Sequence, residues 1–193
     1  MPRKIKAPST FISIDASTQS MAYAVIKDGK VLKFGKIEYE GKTLDERLRD
    51  ISIKSQQFFS KHRHIKTVVI EDTVFINSAQ TVTTLSKCQG ALLAAAYLSG
   101  VEHSYRVSPI AWQAHIGTRL LTPEEKAQLK KQYPGRSASW YKSKERSVRK
   151  QKTMDTVNAK FGLKINDDDI ADSIGLSIFA CENWSKVLSY GRK

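Results

Sequence analysis

An α/β domain built on an open sheet is what this sequence predicts, and three observations carry that reading. Short apolar runs with strand character, at Phe11–Ile14, Met21–Ile26 and Thr67–Ile70, are bounded by turn residues and acids. Longer stretches between and after them repeat apolar residues every three or four positions, as amphipathic helices do. At 193 residues, 40% hydrophobic and 26% charged, the chain has the length and composition of one well-cored globular domain.

Residues 1–9 read as a short basic arm. Phe11-Ile-Ser-Ile-Asp15 then runs apolar into one carboxylate, Ala16-Ser-Thr18 turns, and a second apolar run returns to Ile26. Strands are expected over 10–15, 21–27 and 31–38, with Asp28-Gly29 as the hairpin turn between the second and third. An ionised carboxylate at the tip of a buried strand must be paired, coordinated or wet. Taken alone, Asp15 reads equally well as a turn-forming residue capping its own loop.

Leu44, Leu48, Ile51, Ser55 and Phe58 share one helical face, which predicts a helix over 43–61. The β-branched stretch Thr67–Ile70 is a buried strand ending on Glu71, a second strand that stops at an acid. Asn77-Ser78 can cap a helix over 79–99 that buries Val82, Leu85, Leu92, Leu93 and Ala96. Gly90 inside that helix suggests close packing against a neighbour. A fifth strand is expected at 103–107, and Ser108-Pro109 opens a helix through about 116. The chain ends in a helix entered through Asn166-Asp-Asp-Asp169-Ile-Ala-Asp172, with Ile174, Ile178, Cys181 and Leu188 on one face.

Charge is the outlier. Lys and Arg number 32 against 19 Asp and Glu, a net +13, which points to a polyanionic partner. The excess is concentrated: between Arg119 and Lys152 eleven Lys and Arg face three Glu, a net +8. Pro134-Gly135 breaks this segment, and Trp140-Tyr141 lie among its cations. Cations interleaved with aromatics suit phosphate contact and base stacking. Arg119, Trp140, Tyr141, Lys142, Lys144, Arg146, Arg149, Lys150 and Lys152 are therefore the candidate nucleic-acid contacts. The bland alternative is a solvated loop whose aromatics pack on each other.

No apolar run approaches the roughly 20 residues a membrane span needs, and the basic start is not followed by the apolar core of a signal peptide. Cys88 and Cys181, both in expected helices, read as reduced thiols. A cytoplasmic protein is expected, associated with a nucleoid or with a host cell's cytoplasm; an organelle matrix is the secondary alternative.

Acids now stand at three element ends: Asp15, Glu71, and the pair Asp169/Asp172, three residues apart on a helix surface. First and fourth strands are commonly neighbours in an open α/β sheet, and a helix packed on it can bring the pair to the same place. Converging carboxylates repel unless cations lie between them. Hard divalent ions with oxygen ligands meet that need, and two ions about 4 Å apart can clamp the attacking water and leaving oxygen of a phosphodiester. A basic protein with an all-carboxylate site reads as a nuclease.

Ile14-Asp15-Ala-Ser-Thr18, Ile70-Glu71, Gln89-Gly90 and Asp169-Ile-Ala-Asp172 resemble, in order and spacing, the RuvC family of Holliday-junction resolvases. The resemblance spans nearly the whole chain except about 117–152, which reads as a basic insertion in a single domain, 1–193. It implies an RNase H-like fold: a five-stranded mixed sheet, second strand antiparallel, flanked by helices. It implies a homodimer that nicks two strands of a four-way DNA junction with two Mg2+ ions per site, Mn2+ substituting, leaving 5′-phosphate and 3′-hydroxyl ends. Asp15, Glu71, Asp169 and Asp172 would be the catalytic and metal-binding acids, with Asp168 a weaker substitute for Asp169. Phe75 is the nearest counterpart of the family's aromatic wedge, one position late. Where the family often has Lys before Gln in the helix after the fifth strand, this chain has Trp112-Gln113, so the phosphate-contacting cation falls to Lys150 or Lys152. The long basic segment resembles phage-type or organellar relatives.

Two rival classes remain at this level. One is another RNase H-like nuclease, acting on flaps, branched DNA or RNA–DNA hybrids; the other is a non-catalytic branched-DNA-binding protein. Asp15-Ala-Ser-Thr18 also resembles the first phosphate motif of actin-like and sugar kinases, but 193 residues leave no room for their second domain.

Overall fold

A computed structural model describes residues 5–73 and 78–190. In chain order the elements are β1 (Thr10–Ala16), β2 (Ser20–Lys27), β3 (Lys30–Glu38), α1 (Leu44–Lys61), β4 (Thr67–Glu71), α2 (Ala79–Leu98) and β5 (His103–Val107). Then follow α3 (Pro109–His115), α4 (Pro123–Gln132), α5 (Ala138–Phe161), α6 (Asp168–Glu182) and α7 (Trp184–Tyr190). No described helix is long and apolar enough to cross a membrane.

The five strands form one sheet in the order β3-β2-β1-β4-β5. β2 runs antiparallel to both β1 and β3, while β1, β4 and β5 are mutually parallel. This is the mixed sheet with an antiparallel second strand that the resemblance implies. Parallel neighbours need covered faces, and both faces are covered. Ile12, Ile14, Tyr23, Val68 and Ile70 pack with α1 and α2 residues such as Ile51, Phe59 and Leu92. Phe11, Ala24, Ile26, Val69 and Val107 pack on the other face with Trp112 of α3, Val157 of α5, and α6 and α7.

Local signals explain the helix ends. Thr43 closes a capping box with Glu46 at the start of α1. Ser78 caps α2, and Asp167 caps α6 by accepting from the Ile170 N–H at 3.0 Å. Cys88 is buried and Cys181 half-buried, both as free thiols.

Two expectations are corrected, and one alternative is set aside. A Cβ at Gly90 would meet nothing within 4 Å, so this glycine marks open surface on α2 and not a close approach. The last helix is interrupted at Asn183, which ends α6, so Leu188 belongs to α7 and not to the face of Ile174 and Ile178. The basic segment is not an irregular loop. Thr122 and Glu125 form a second capping box with Pro123 at the first helical position of α4, Gly135 turns at φ 74°, and Ser137 caps α5. Gly162 ends α5 in the left-handed conformation at φ 66°. The 24-residue α5 buries only Thr153 and Val157, in its C-terminal half. The helix carries its cations over 142–152 alongside α4, tied by Lys126–Glu145 at 2.9 Å and Lys152–Glu125 at 3.0 Å.

Candidate active site

Strand alternation brings the first two acids together. Phe11 and Val69 point into the core beneath α6. Asp15 and Glu71 lie an even number of residues further along β1 and β4, so they face the same side. Ile14 pairs with Ile70 in the parallel ladder, so one more step sets Asp15 beside Glu71. In the other direction Asp15 pairs with Ala22, and Ala22 with Lys36. One row across the sheet therefore reads Glu71, Asp15, Ala22, Lys36. Over the fully buried Ala22, whose methyl group leaves room above the sheet, the start of α6 presents Asp167, Asp168 and Asp169, with Asp172 one turn further on.

The electrostatics follow from this placement. Burial pushes the Asp15 carboxyl well above its usual range, reinforced by Glu71, Asp172 and Asp169. Burial also raises Glu71 to about 7, against the pull of a hydrogen bond from Trp112 and with the help of Asp172. Asp172 is raised to about 6 by burial, with Lys150 opposing and Asp169 adding to the shift. Lys150 and Arg149 of α5 are the cations that partly offset this negative potential.

Glu71 and the three aspartates that open α6 are held by protein groups. The Trp112 Nε1–H donates to Glu71 Oε2 at 2.6 Å. Gln89 Nε2 donates to the Glu71 carbonyl at 3.0 Å, and Thr73 Oγ1 donates to Gln89 Oε1 at 3.1 Å. Lys36 Nζ lies 2.5 Å from Asp169 Oδ2 and 3.3 Å from Asp167 Oδ2. Lys150 Nζ pairs with Asp168 and lies 3.7 Å from Asp169 Oδ1.

The four acids are neighbours without forming a closed cage: among the described residues no three His, Cys, Asp or Glu converge closely enough to hold one ion. Two lysines engage the acids that open α6, Lys36 pairing with Asp169 and Lys150 with Asp168. The donor set nonetheless fits a hard divalent cation. It offers oxygen alone, and burial of Asp15, Glu71 and Asp172 favours their protonated forms until positive charge arrives.

The other expected contacts scatter. Phe75 lies outside the described residues. Lys150 stands at the acids, whereas Lys152 is engaged with Glu125. Arg149 donates to Gln113 Oε1 at 3.0 Å. Lys142 and Arg146 are exposed further along α5. Arg119 lies 3.8 Å from Glu125. Trp140 packs against Tyr133 (5.2 Å between centroids) and Tyr141 (5.4 Å), Arg136 lies over Trp140 at 5.4 Å, and Lys144 over Tyr133 at 5.5 Å. That cluster knits the α4–α5 turn together, and both Trp140 and Tyr141 stay half-exposed.

Sequence reasoning missed Lys36 and the role of Trp112. No local signal marks Lys36, because a bulge sets its register: the β2–β3 pairing shifts by one residue between Val25 and Ile26. Trp112 stood out only as a departure from the family pattern.

No family model matches this chain, and no curated protein matches its sequence. Solved structures do match its fold. RuvC of Thermus thermophilus in complex with Holliday junction substrate superposes with a TM-score of 0.63 at 16% identity, covering 91% of this chain and 97% of that one. A second Thermus thermophilus RuvC structure gives 0.62 at 16% identity, covering 92% and 97%. The yeast mitochondrial Holliday junction resolvase Ydc2 gives 0.54 at 13% identity, covering 97% and 84%. The fold of this chain is thus the RNase H-like fold of those resolvases.

Proposed function

We propose that this protein is a metal-dependent, structure-selective endonuclease that resolves four-way DNA junctions by paired symmetric nicks, leaving 5′-phosphate and 3′-hydroxyl ends. The observation that carries this reading is the meeting of acids from β1, β4 and α6 at one end of the sheet, beside the basic helix α5. The shared fold with a RuvC solved on a Holliday junction supports it.

Asp15, Glu71, Asp169 and Asp172 would hold magnesium or manganese, in a site for two ions. Such ions, when bound, supply Lewis-acid activation of water and charge stabilisation at the leaving oxygen. Asp15 sits in the middle of the row, beside Glu71 and under α6, so it is the acid placed to serve both halves of the site. Lys36 and Lys150 balance Asp169 and hand it over as positive charge enters. Lys142, Arg146, Arg149 and Lys150 follow helical spacing along one stripe of α5. At about 1.5 Å per residue this rail extends roughly 12 Å from the acids, a length suited to successive phosphates.

Two nicks require two sites, so the protein is proposed to act as a homodimer. Tyr97 and Leu98 at the end of α2, 48% and 81% exposed, offer apolar surface to a second copy. A purely monomeric mass by light scattering at micromolar concentration would remove the dimer.

The test is cleavage of a synthetic four-way junction beside linear duplex, a flap and an RNA–DNA hybrid, with magnesium and then with chelator. Symmetric, magnesium-dependent nicks in the junction alone are expected. Preference for a flap or hybrid would move the reading to another RNase H-like nuclease, and binding without cleavage to a non-catalytic junction-binding protein.

A further inference from the structure

Trp112 joins two of the elements that carry acids. Its side chain is fully buried, and its indole N–H donates to Glu71 Oε2 at 2.6 Å. An indole only donates and does not titrate in the working range, so this hydrogen bond commits the same oxygen of Glu71 at every pH. The opposite edge of the ring lies against α6: a Cβ at Gly175 would stand 2.8 Å from Trp112 Cζ3 and 3.4 Å from Cε3. Gly175 is three residues beyond Asp172, about one helical turn. The indole is thus wedged between the carboxylate of β4 and the helix that bears Asp169 and Asp172.

We propose that Trp112 is a positioning residue for a divalent cation: it holds Glu71 so that Oε1 is the oxygen offered to the ion, and its width sets the distance from Glu71 to Asp172. This rests on the reading of the four acids as an ion site. An indole hydrogen-bonded to a ligand carboxylate senses the ion directly, because positive charge withdraws electron density from the accepting oxygen. A tryptophan that served the core alone would not sense it. Trp112 orients the ligand in the manner of the outer partners of metal ligands, whose loss typically weakens metal affinity about 10- to 100-fold.

The test uses the full chain without DNA. The three tryptophan indole N–H resonances of ¹⁵N-labelled protein are followed during titration with Mg2+, Trp112 being identified as the one that survives both Trp140→Phe and Trp184→Phe. The expected result is a saturable shift of the Trp112 resonance, while those of Trp140 and Trp184 stay in place. Calorimetry with Mn2+ on Trp112→Phe is expected to show affinity weakened about 10- to 100-fold. Ion binding that leaves the Trp112 resonance unmoved would overturn the proposal, even if Trp112→Phe failed to fold. A folded Trp112→Phe that binds Mn2+ like wild type would do the same. Either result would leave the nuclease reading standing, provided wild type still cleaves. If wild type bound no divalent ion at all, the reading of the acids would fail, and the role of Trp112 with it.

Discussion

Lys36 and Asp169 meet across the width of the site, Nζ to Oδ2 at 2.5 Å, joining the edge strand β3 to the first turn of α6. The lysine is 24% exposed and the aspartate 31%, so water screens the pair only partly. It supplies, from inside the protein, positive charge beside acids that otherwise repel one another.

Replacing this cation separates two effects. Lys36→Met is expected to lower the melting temperature of chelator-treated protein by roughly 2–4 °C, the equivalent of about 1 kcal/mol for a pair this exposed. The same variant is expected to bind Mg2+ more tightly, because Asp169 loses the nearer of its two internal competitors. Thermal melts with and without magnesium, together with calorimetry, check both. Unchanged ion affinity would show that Lys36 does not compete for Asp169.

The raised carboxyls make stability depend on pH with a definite sign. Glu71 titrates near 7 and Asp172 near 6 in the folded chain, both above their ordinary values. The folded state therefore binds more protons than the unfolded state between those limits, and stability falls as pH rises through them. Metal-free protein is expected to melt at a higher temperature at pH 5 than at pH 8 as far as these groups are concerned. Saturating magnesium should reduce or reverse the difference, because bound ions favour the ionised acids. A pH profile of melting temperature that magnesium leaves unchanged would count against an ion at these carboxylates.

Asp15→Asn keeps the size of the side chain and removes its charge from the middle of the row. Junction cleavage is expected to fall at least about 10³-fold, since the ion-derived stabilisation of the transition state amounts to several kcal/mol. Junction binding should persist, and the metal-free variant should be more stable than wild type at pH 8 because one repulsive charge is gone. Gel-shift, cleavage and melting measurements on one preparation read all three.

Gly175→Ala would force the Trp112 ring or α6 to move, because the added carbon falls within 3.0 Å of Trp112 Cζ3 and meets Ile116 Cδ1 at 3.0 Å. Overpacking of this kind typically costs about 1–3 kcal/mol. The expected outcome is a lower denaturation midpoint, with Mg2+ affinity reduced in the same direction as in Trp112→Phe.

The rail on α5 makes a prediction about salt. Each phosphate-contacting cation removed should reduce the slope of log affinity against log salt by about 1. Lys142→Ala with Arg146→Ala should therefore lower the slope of junction binding by about 2, while Mg2+ affinity stays unchanged. An unaltered slope would place the DNA elsewhere than along this stripe.

Much of this protein is settled by its sequence. The apolar runs of β1 and β4, the Asp28-Gly29 turn, the cap at Ser78, and the repeat of strands ending in acids identify the elements and single out Asp15 and Glu71. These are short-range signals of backbone preference and side-chain period, and they need no tertiary contact to be read. Tertiary structure alone decided what surrounds the acids. A one-residue bulge opposite Val25 and Ile26 puts Lys36, and not Gly35, in the row of Asp15, and so into reach of Asp169. The packing of α3 against α6 turned Trp112 from a mismatched position into the partner of Glu71. Capped helices carried the basic segment from the site outward, where composition alone gave no secondary structure. Register and helix packing depend on contacts between residues far apart in the chain, and such contacts leave no periodic trace in the sequence.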